Sequence, residues 1–165
     1  MEGYGEFREH KRDIENGIES EINLRIMGID FGTKRIGVAI SDELLITAQG
    51  MESIVTAGSD KDLAKIAGIA AEYKAEEIIV GLPLNMDGTE SKKTRETIAF
   101  LEKLRRVVSI PVKTWDERLT SIQADRAMLE ADLSRKRRKE LSDRVAAQLI
   151  LQGYLDSKRP KGDYD

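Results

Sequence analysis

Apolar positions follow two different rhythms along the chain. From Leu24, the run LRIMGIDF is almost continuously apolar and reads as a buried strand. GTKR then reads as a hairpin turn, with Gly32 expected to supply the unusual backbone angles that such turns use. RIGVAIS alternates as a second strand, and Gln49 to Thr56 reads as a third. Spacing this close predicts an antiparallel meander. After Gly58 the period lengthens. Leu63, Ile66, Ala67, Ala70 and Tyr73 recur at helical spacing behind Asp60 and Asp62. Glu76–Gly81 is a compact apolar strand of the central, parallel kind. LPLNMDGT follows as a loop, and Asp87 with Glu90 is expected to cap a helix whose apolar face is Ile98, Leu101, Leu104 and Val108. Pro111 to Trp115 reads as another strand. Thr120 and Gln123 predict a capping box for a helix through Leu133. A last helix carries Leu141, Val145 and Leu149 as its buried stripe and ends near Asp156.

The predicted order is therefore β-β-β-α-β-α-β-α-α, a mixed sheet with helices on its faces. Residues 1–23 are polar, with Ile14, Ile18 and Ile22 at helical spacing, and read as an N-terminal extension. The folded domain is expected over 24–158 and a C-terminal tail over 159–165. No apolar stretch is long enough to span a bilayer and the N-terminus has no signal-like core, so no membrane partner is expected.

Composition narrows the chemistry. The 165 residues include no cysteine and one histidine, His10, which lies in the polar extension. Thiolate and Ser-His-Asp catalysis are poorly supplied, and a reducing cytoplasm suits the chain. Net charge is −3, yet Arg135, Lys136, Arg137, Arg138 and Lys139 form an unbroken cationic run. An acidic protein can still present a local phosphate-binding patch.

Three acids stand at element ends. Asp30 closes an apolar strand, Glu117 follows the strand ending at Trp115, and Asp143 precedes the apolar VAAQLIL face. Ligand sites in α/β sheets favour the carboxyl ends of strands. Carboxylates on different elements suit magnesium or manganese, and two such ions serve phosphodiester hydrolysis. Each acid also has a plain reading: a turn former, a partner of Arg118, a helix-start charge. Spacing leaves open whether the three converge.

GIDFGTKRIGVAISD, the loop GLPLNMDGTES, the segment TWDERLTS and the helix SDRVAAQLILQGYLD together closely resemble the YqgF-type family, known as pre-16S rRNA nucleases and earlier as Holliday junction resolvases. The resemblance spans about Leu24 to Asp156. It implies a ribonuclease H-like, three-layer α/β fold with a five-stranded mixed sheet, its first three strands antiparallel. It implies a catalytic metal site at Asp30, Glu117 and Asp143, with Glu117 taken over Asp116. It implies Mg2+ or Mn2+ as cofactor and precursor 16S rRNA or branched DNA as substrate, with pre-ribosomal particles as a setting and a monomer or homodimer as the unit.

Candidate nucleic-acid contacts are Lys34 and Arg35 beside Asp30, Asn85 in the loop, Arg118 next to Glu117, and the run Arg135–Lys139. The duller readings are a plain hairpin, a turn-forming asparagine, an arginine orienting Glu117, and a cationic loop. Thr120 reads as a helix cap and Trp115 as core. Two other classes compete with the nuclease. GIDFGTKRIG also looks like the phosphate-binding hairpin of the sugar-kinase, actin and chaperone superfamily, although a single domain lacks the second half of that cleft. The third class is a non-catalytic RNA-binding assembly factor.

Overall fold

The computed structural model describes residues 24–119 and 135–159, with side chains of the last helix described from Arg144 onward. The expected extension 1–23, the helix expected from Thr120 to Leu133 and residues 160–165 lie outside the described residues. So do the side chains of the RKRRK run, Leu141 and Asp143.

The elements run β1 (Arg25–Asp30), β2 (Arg35–Ser41), β3 (Ala48–Gly50), β4 (Ile54–Val55), α1 (Ser59–Glu72), β5 (Ala75–Leu82), α2 (Lys92–Val107), β6 (Val112–Asp116), a 3-10 turn (Glu117–Leu119) and α3 (Arg135–Lys158). The main path through the sheet is β3-β2-β1-β5-β6, and β4 pairs with β2 to make six strands. β1, β2 and β3 are antiparallel neighbours, whereas β1, β5 and β6 are parallel. The expected mixed sheet with an antiparallel start is present.

The expected third strand is broken in two. Ala39 pairs with Gly50, but Ile36 pairs with Ile54, so the incoming segment holds one residue more than β2 between those pairs. That is the arithmetic of a β-bulge, which bends a strand and divides its ladder. The Met51 N–H still donates to Val38 O at 2.8 Å.

Strand alternation sorts the core into two faces. Met27 and Ile29 of β1, with Ile78 and Val80 of β5, pack against Leu63 and Ile66 of α1 and Leu101 and Leu104 of α2. Ile26 and Ile79 point the other way, onto Ala146, Ala147, Ile150, Leu151, Tyr154 and Leu155 of α3. Each fully buried aliphatic chain here contributes on the order of 1.5–3 kcal/mol. The α3 stripe is rotated from the expected Leu141, Val145, Leu149 set: Val145 and Leu149 are only partly buried. The small alanines win because they let the helix settle against β1. A methyl group on Gly28 would lie 2.7 Å from Leu151 Cβ and 3.1 Å from Ala147 O, so that contact is backbone-close.

α3 runs antiparallel to β1. Arg144 lies against Gly50, level with Gly28, while Gln152 Oε1 accepts from Ala48 N (2.9 Å), level with Ile26. The start of α3 therefore rises towards the carboxyl ends of β1 and β5. The same helix ties down β6: Lys113 pairs with the buried Glu77 at 3.0 Å and donates to Tyr154 Oη at 3.4 Å. Burial, with Glu77 beside it, pushes the Tyr154 hydroxyl pKa up, so it stays neutral.

Two local expectations change. Gly32 does not adopt a left-handed angle; among the described residues the glycines with positive φ are Gly58 and Gly88. Its requirement is steric, because a methyl group there would sit 2.5 Å from Arg35 O. α2 is capped by Ser91 and Thr94, not by Asp87 and Glu90; Ser91 Oγ accepts from Thr94 N at 3.2 Å and Thr94 Oγ1 accepts from Ser91 N at 2.9 Å. Asp87 closes its own loop instead, accepting from Thr89 N. Among the described residues no helix is long and apolar enough to cross a membrane.

Candidate metal and nucleic-acid site

Asp30 ends β1 and is 5% exposed. Its side chain has the parity of Ile26 and Gly28, so it belongs to the α3 face of the sheet. Ile29 pairs with Val80, which puts Gly81 of β5 beside Asp30 in the next strand. Gly81 in turn pairs with Trp115 of β6.

Glu117 begins the turn directly after β6. In β6, Val112 packs into the α1/α2 face, while Lys113 and Trp115 reach Tyr154 on α3. Alternation then sends Asp116 towards the α2 side and Glu117 towards the α3 side. The side chain of Glu117 does cross back over β5: its Oε1 is shielded from solvent and lies 2.7 Å from where a methyl group on Gly81 would be. Two acids from different elements thus share the α3 face at the strand ends, with the bare backbone of Gly81 between their strands.

Asp116 is committed elsewhere. Arg118 Nη2 donates to its Oδ2 at 2.7 Å, and Arg118 Nε donates at 3.0 and 3.1 Å. The Arg118 guanidinium and backbone N–H hold the Asp116 carboxyl below its ordinary pKa against the opposing effect of desolvation. Arg118 Nη1 also donates to Met86 O at 3.3 Å. The arginine is therefore a staple between the turn after β6 and the loop after β5. Asn85 shapes that loop, bonding Thr89 through its amide (3.0 Å) and through backbone groups of Thr89 and Gly88. The Thr89 hydroxyl and N–H hold the Asp87 carboxyl below its ordinary pKa. The described donors of Arg118 and Asn85 are thus used inside the protein.

Asp143 lies on α3, one turn before Ala147 and two before Leu151. Four helical residues climb about 6 Å, and the two strand residues from Gly28 to Asp30 climb about 6.6 Å. Since α3 passes Gly28 at Ala147 and Leu151, its backbone at Asp143 comes level with Asp30. The basic residues Arg135–Lys139 form the first helical residues of α3 and not a loop. Lys34 stands exposed on the β1–β2 turn, beside a cleft on the other side of the sheet from Glu117, and Arg35, half-buried, opens β2 with the parity of Ala39 on the α3 face.

Among the described residues no group of three or more acids or histidines could hold a metal ion. Asp30 and Glu117 are the acids on the α3 face at the carboxyl ends of the strands, whereas Glu77 on that face is paired with Lys113. Their donor set fits a hard divalent cation: oxygen only, at a strand-end rim, one carboxylate nearly buried. The sequence pattern weighs Asp116 against Glu117 and offers Arg118 as an arginine orienting Glu117, but it does not pair Arg118 with Asp116 and does not single out Gly81 as part of this site. The signal for Gly81 was weak, since a glycine ending an apolar strand usually marks only a turn.

A mixed sheet with an antiparallel start, α3 on one face and α1 and α2 on the other is a ribonuclease H-like fold. Residues 24–157 match the RuvX family model, described as "Holliday junction resolvase", and the chain belongs to that family. A protein of Halothermothrix orenii is 51% identical over 133 residues, covering 81% of this chain and 95% of its own. One of Syntrophomonas wolfei is 51% identical over 141 residues, covering 86% of this chain and all of its own. Both carry the name "Putative pre-16S rRNA nuclease". RuvC of Thermus thermophilus, solved with a Holliday junction substrate, shares the fold with a TM-score of 0.53 at 15% identity, over 81% of this chain and 96% of that one.

Proposed function

We propose that this chain is a divalent-metal-dependent nuclease that trims precursor 16S rRNA in the cytoplasm during ribosome assembly. The observation that carries the reading is the placement of Asp30 and Glu117 on the same face of the sheet at its strand ends, with Glu117 reaching over Gly81 of the intervening β5. Relatives named for pre-16S rRNA cleavage, at half identity over most of both chains, support the substrate.

In this reading Asp30, Glu117 and Asp143 hold one or two magnesium or manganese ions. Such an ion, when bound, makes water a nucleophile at neutral pH and neutralises charge growing on the phosphate. The protein does the rest by placement. The short ties of β1 to β5 and of β5 to β6 fix Asp30 and the start of the Glu117 turn relative to one another. The Arg118 staple holds that turn, so Glu117 does not have to be ordered when substrate arrives. Gly81 leaves the strand-end floor free of side chain, which lets the Glu117 carboxylate lie over β5. Lys34, Arg35 and the run Arg135–Lys139 serve as phosphate contacts and transfer no proton.

A second reading, cleavage of four-way DNA junctions, is favoured by the description of the matching family. The deciding experiment is cleavage of end-labelled 16S leader RNA and of a DNA junction, with magnesium or manganese, by wild type and Asp30→Asn. RNA cutting that is metal-dependent and lost in the variant supports the rRNA reading. Cutting of the junction alone selects the resolvase. No cutting of either by folded protein refutes the nuclease and leaves a binding factor.

A further inference from the structure

On the face of the sheet opposite Glu117, a cleft of about 800 Å³ opens between the β1–β2 turn and the first turn of α2. Its lining includes Lys34 from the turn, Arg35 where β2 begins, and Lys92 and Lys93 from the helix, against one acid, Glu96. Its floor is Phe31, stacked on Phe100 with ring centroids 4.4 Å apart, and its lip is Val55, 67% exposed. Phe31 directly follows Asp30, so the cleft begins one residue from the carboxylate site, across the rim at Gly32.

The lysines stand where helix electrostatics does not want them. The first turn of α2 has no acidic residue and begins with Lys92 and Lys93, at the end where the macrodipole is positive. α1 follows the usual rule on the same face, with Asp60 and Asp62 in its first turn. Lys92, well exposed, has a long 3.9 Å contact to the half-buried Glu96, which offsets little of that repulsion. The opposite wall is fixed in advance. Thr56 Oγ1 donates to Thr33 O at 2.8 Å and lies 3.1 Å from Lys34 O, which also accepts from Thr56 N. A cationic cleft with an apolar floor, held rigid on one side, matches a polyanion that also has apolar faces, namely a nucleic-acid strand.

We propose that this cleft is a second subsite for the substrate strand, with Lys34, Lys92 and Lys93 binding phosphates that flank the one held at Asp30. The subsite rests on the nuclease reading for its role in cleavage, but not for its binding. The strand leaves the carboxylate site over the rim at Gly32, sets a sugar or base against Phe31, and runs along the start of α2.

The test is fluorescence anisotropy of labelled single-stranded 16S leader RNA, and in parallel of a four-way DNA junction, across a salt series. Lys92→Glu/Lys93→Glu is compared with its parent, both in an Asp30→Asn background to prevent cutting. Lys65→Glu/Lys103→Glu, at exposed sites elsewhere, controls for net charge. The cleft variant is expected to bind about tenfold or more weakly, with a salt slope shallower by about 1.4 on single strands, the value for two lost phosphate contacts. Its Tm should hold or rise, because glutamates suit the start of α2. Loss on RNA alone, or on the junction alone, identifies the strand that the cleft takes. Parental affinity and slope in the folded variant, or an equal loss in the control, overturns the subsite. Cleavage by Asp30→Asn alone at the wild-type rate would sink the carboxylate assignment while leaving the cleft standing.

Discussion

The Glu117 carboxylate occupies the space that a side chain on Gly81 would fill, with Oε1 2.7 Å from the position of the missing methyl group. The other atoms in that space are Cδ1 and Cγ1 of Ile150, the latter at 3.1 Å. The Glu117 carboxylate is the far end of its side chain and can swing aside, whereas Ile150 is fully buried and has to repack. Gly81→Ala should therefore fold, at a cost of about 1–3 kcal/mol. Cleavage should fall far more, by about 100-fold, because a carboxylate displaced by an ångström no longer presents its oxygen correctly. Thermal melts beside single-turnover cleavage check this, and wild-type activity in the variant would show that Glu117 is not held in its working position by Gly81.

Gly28→Ala is the contrasting case on the same face. Its methyl group would meet Leu151 Cβ and Ala147 O, the body of α3 and not a movable tip. The helix must shift, so the expected loss is in stability, about 3 kcal/mol, at the upper end of what overpacking costs. Chemical denaturation should show a lower midpoint with an unchanged slope.

Metal binding can be read without catalysis. An ion that binds the folded state raises the melting temperature by mass action. Wild type should melt higher in millimolar magnesium or manganese than in chelator. Asp30→Asn and Glu117→Gln should each lose most of that increment while melting normally without metal. A full increment in Asp30→Asn would remove Asp30 from the metal site.

The Arg118 staple carries a pH signature. Arg118 holds the Asp116 carboxyl below its ordinary value of 3.8, so the interaction stabilises the fold above that value and is lost as pH falls through the lower, folded one. Asp116→Asn should melt below wild type at pH 7, and the gap should close in acid. Both side chains are partly exposed, so the gap is small in salt. Cleavage by Asp116→Asn should fall modestly through kcat, since Glu117 remains but its turn is looser. A gap that stays constant down to pH 2 would mean that the loss comes from something other than this ion pair.

The order of elements was legible in the sequence because strand and helix leave different periods, two and 3.6, in the apolar pattern. LRIMGIDF, RIGVAIS and Glu76–Gly81 needed nothing beyond that rule, and neither did Leu101 and Leu104 on α2. The pattern also pointed to Asp30 and Glu117 as acids at strand ends, which the absence of cysteine and the remoteness of His10 made more telling. What it did not carry is anything set by contact between distant segments. The bulge that splits β3 from β4 depends on register against β2. The α3 stripe turned onto Ala146 and Ala147 because Gly28 and Gly81 allow close approach, a fit between segments more than a hundred or about seventy residues apart. Asp116 and Glu117 are adjacent in sequence and chemically alike; which of them faces α3 is decided by strand alternation in β6 and by Arg118 claiming Asp116. Periodicity is a local property of the chain, whereas steric room and the competition for a hydrogen-bond partner exist only once the sheet and its helices have come together.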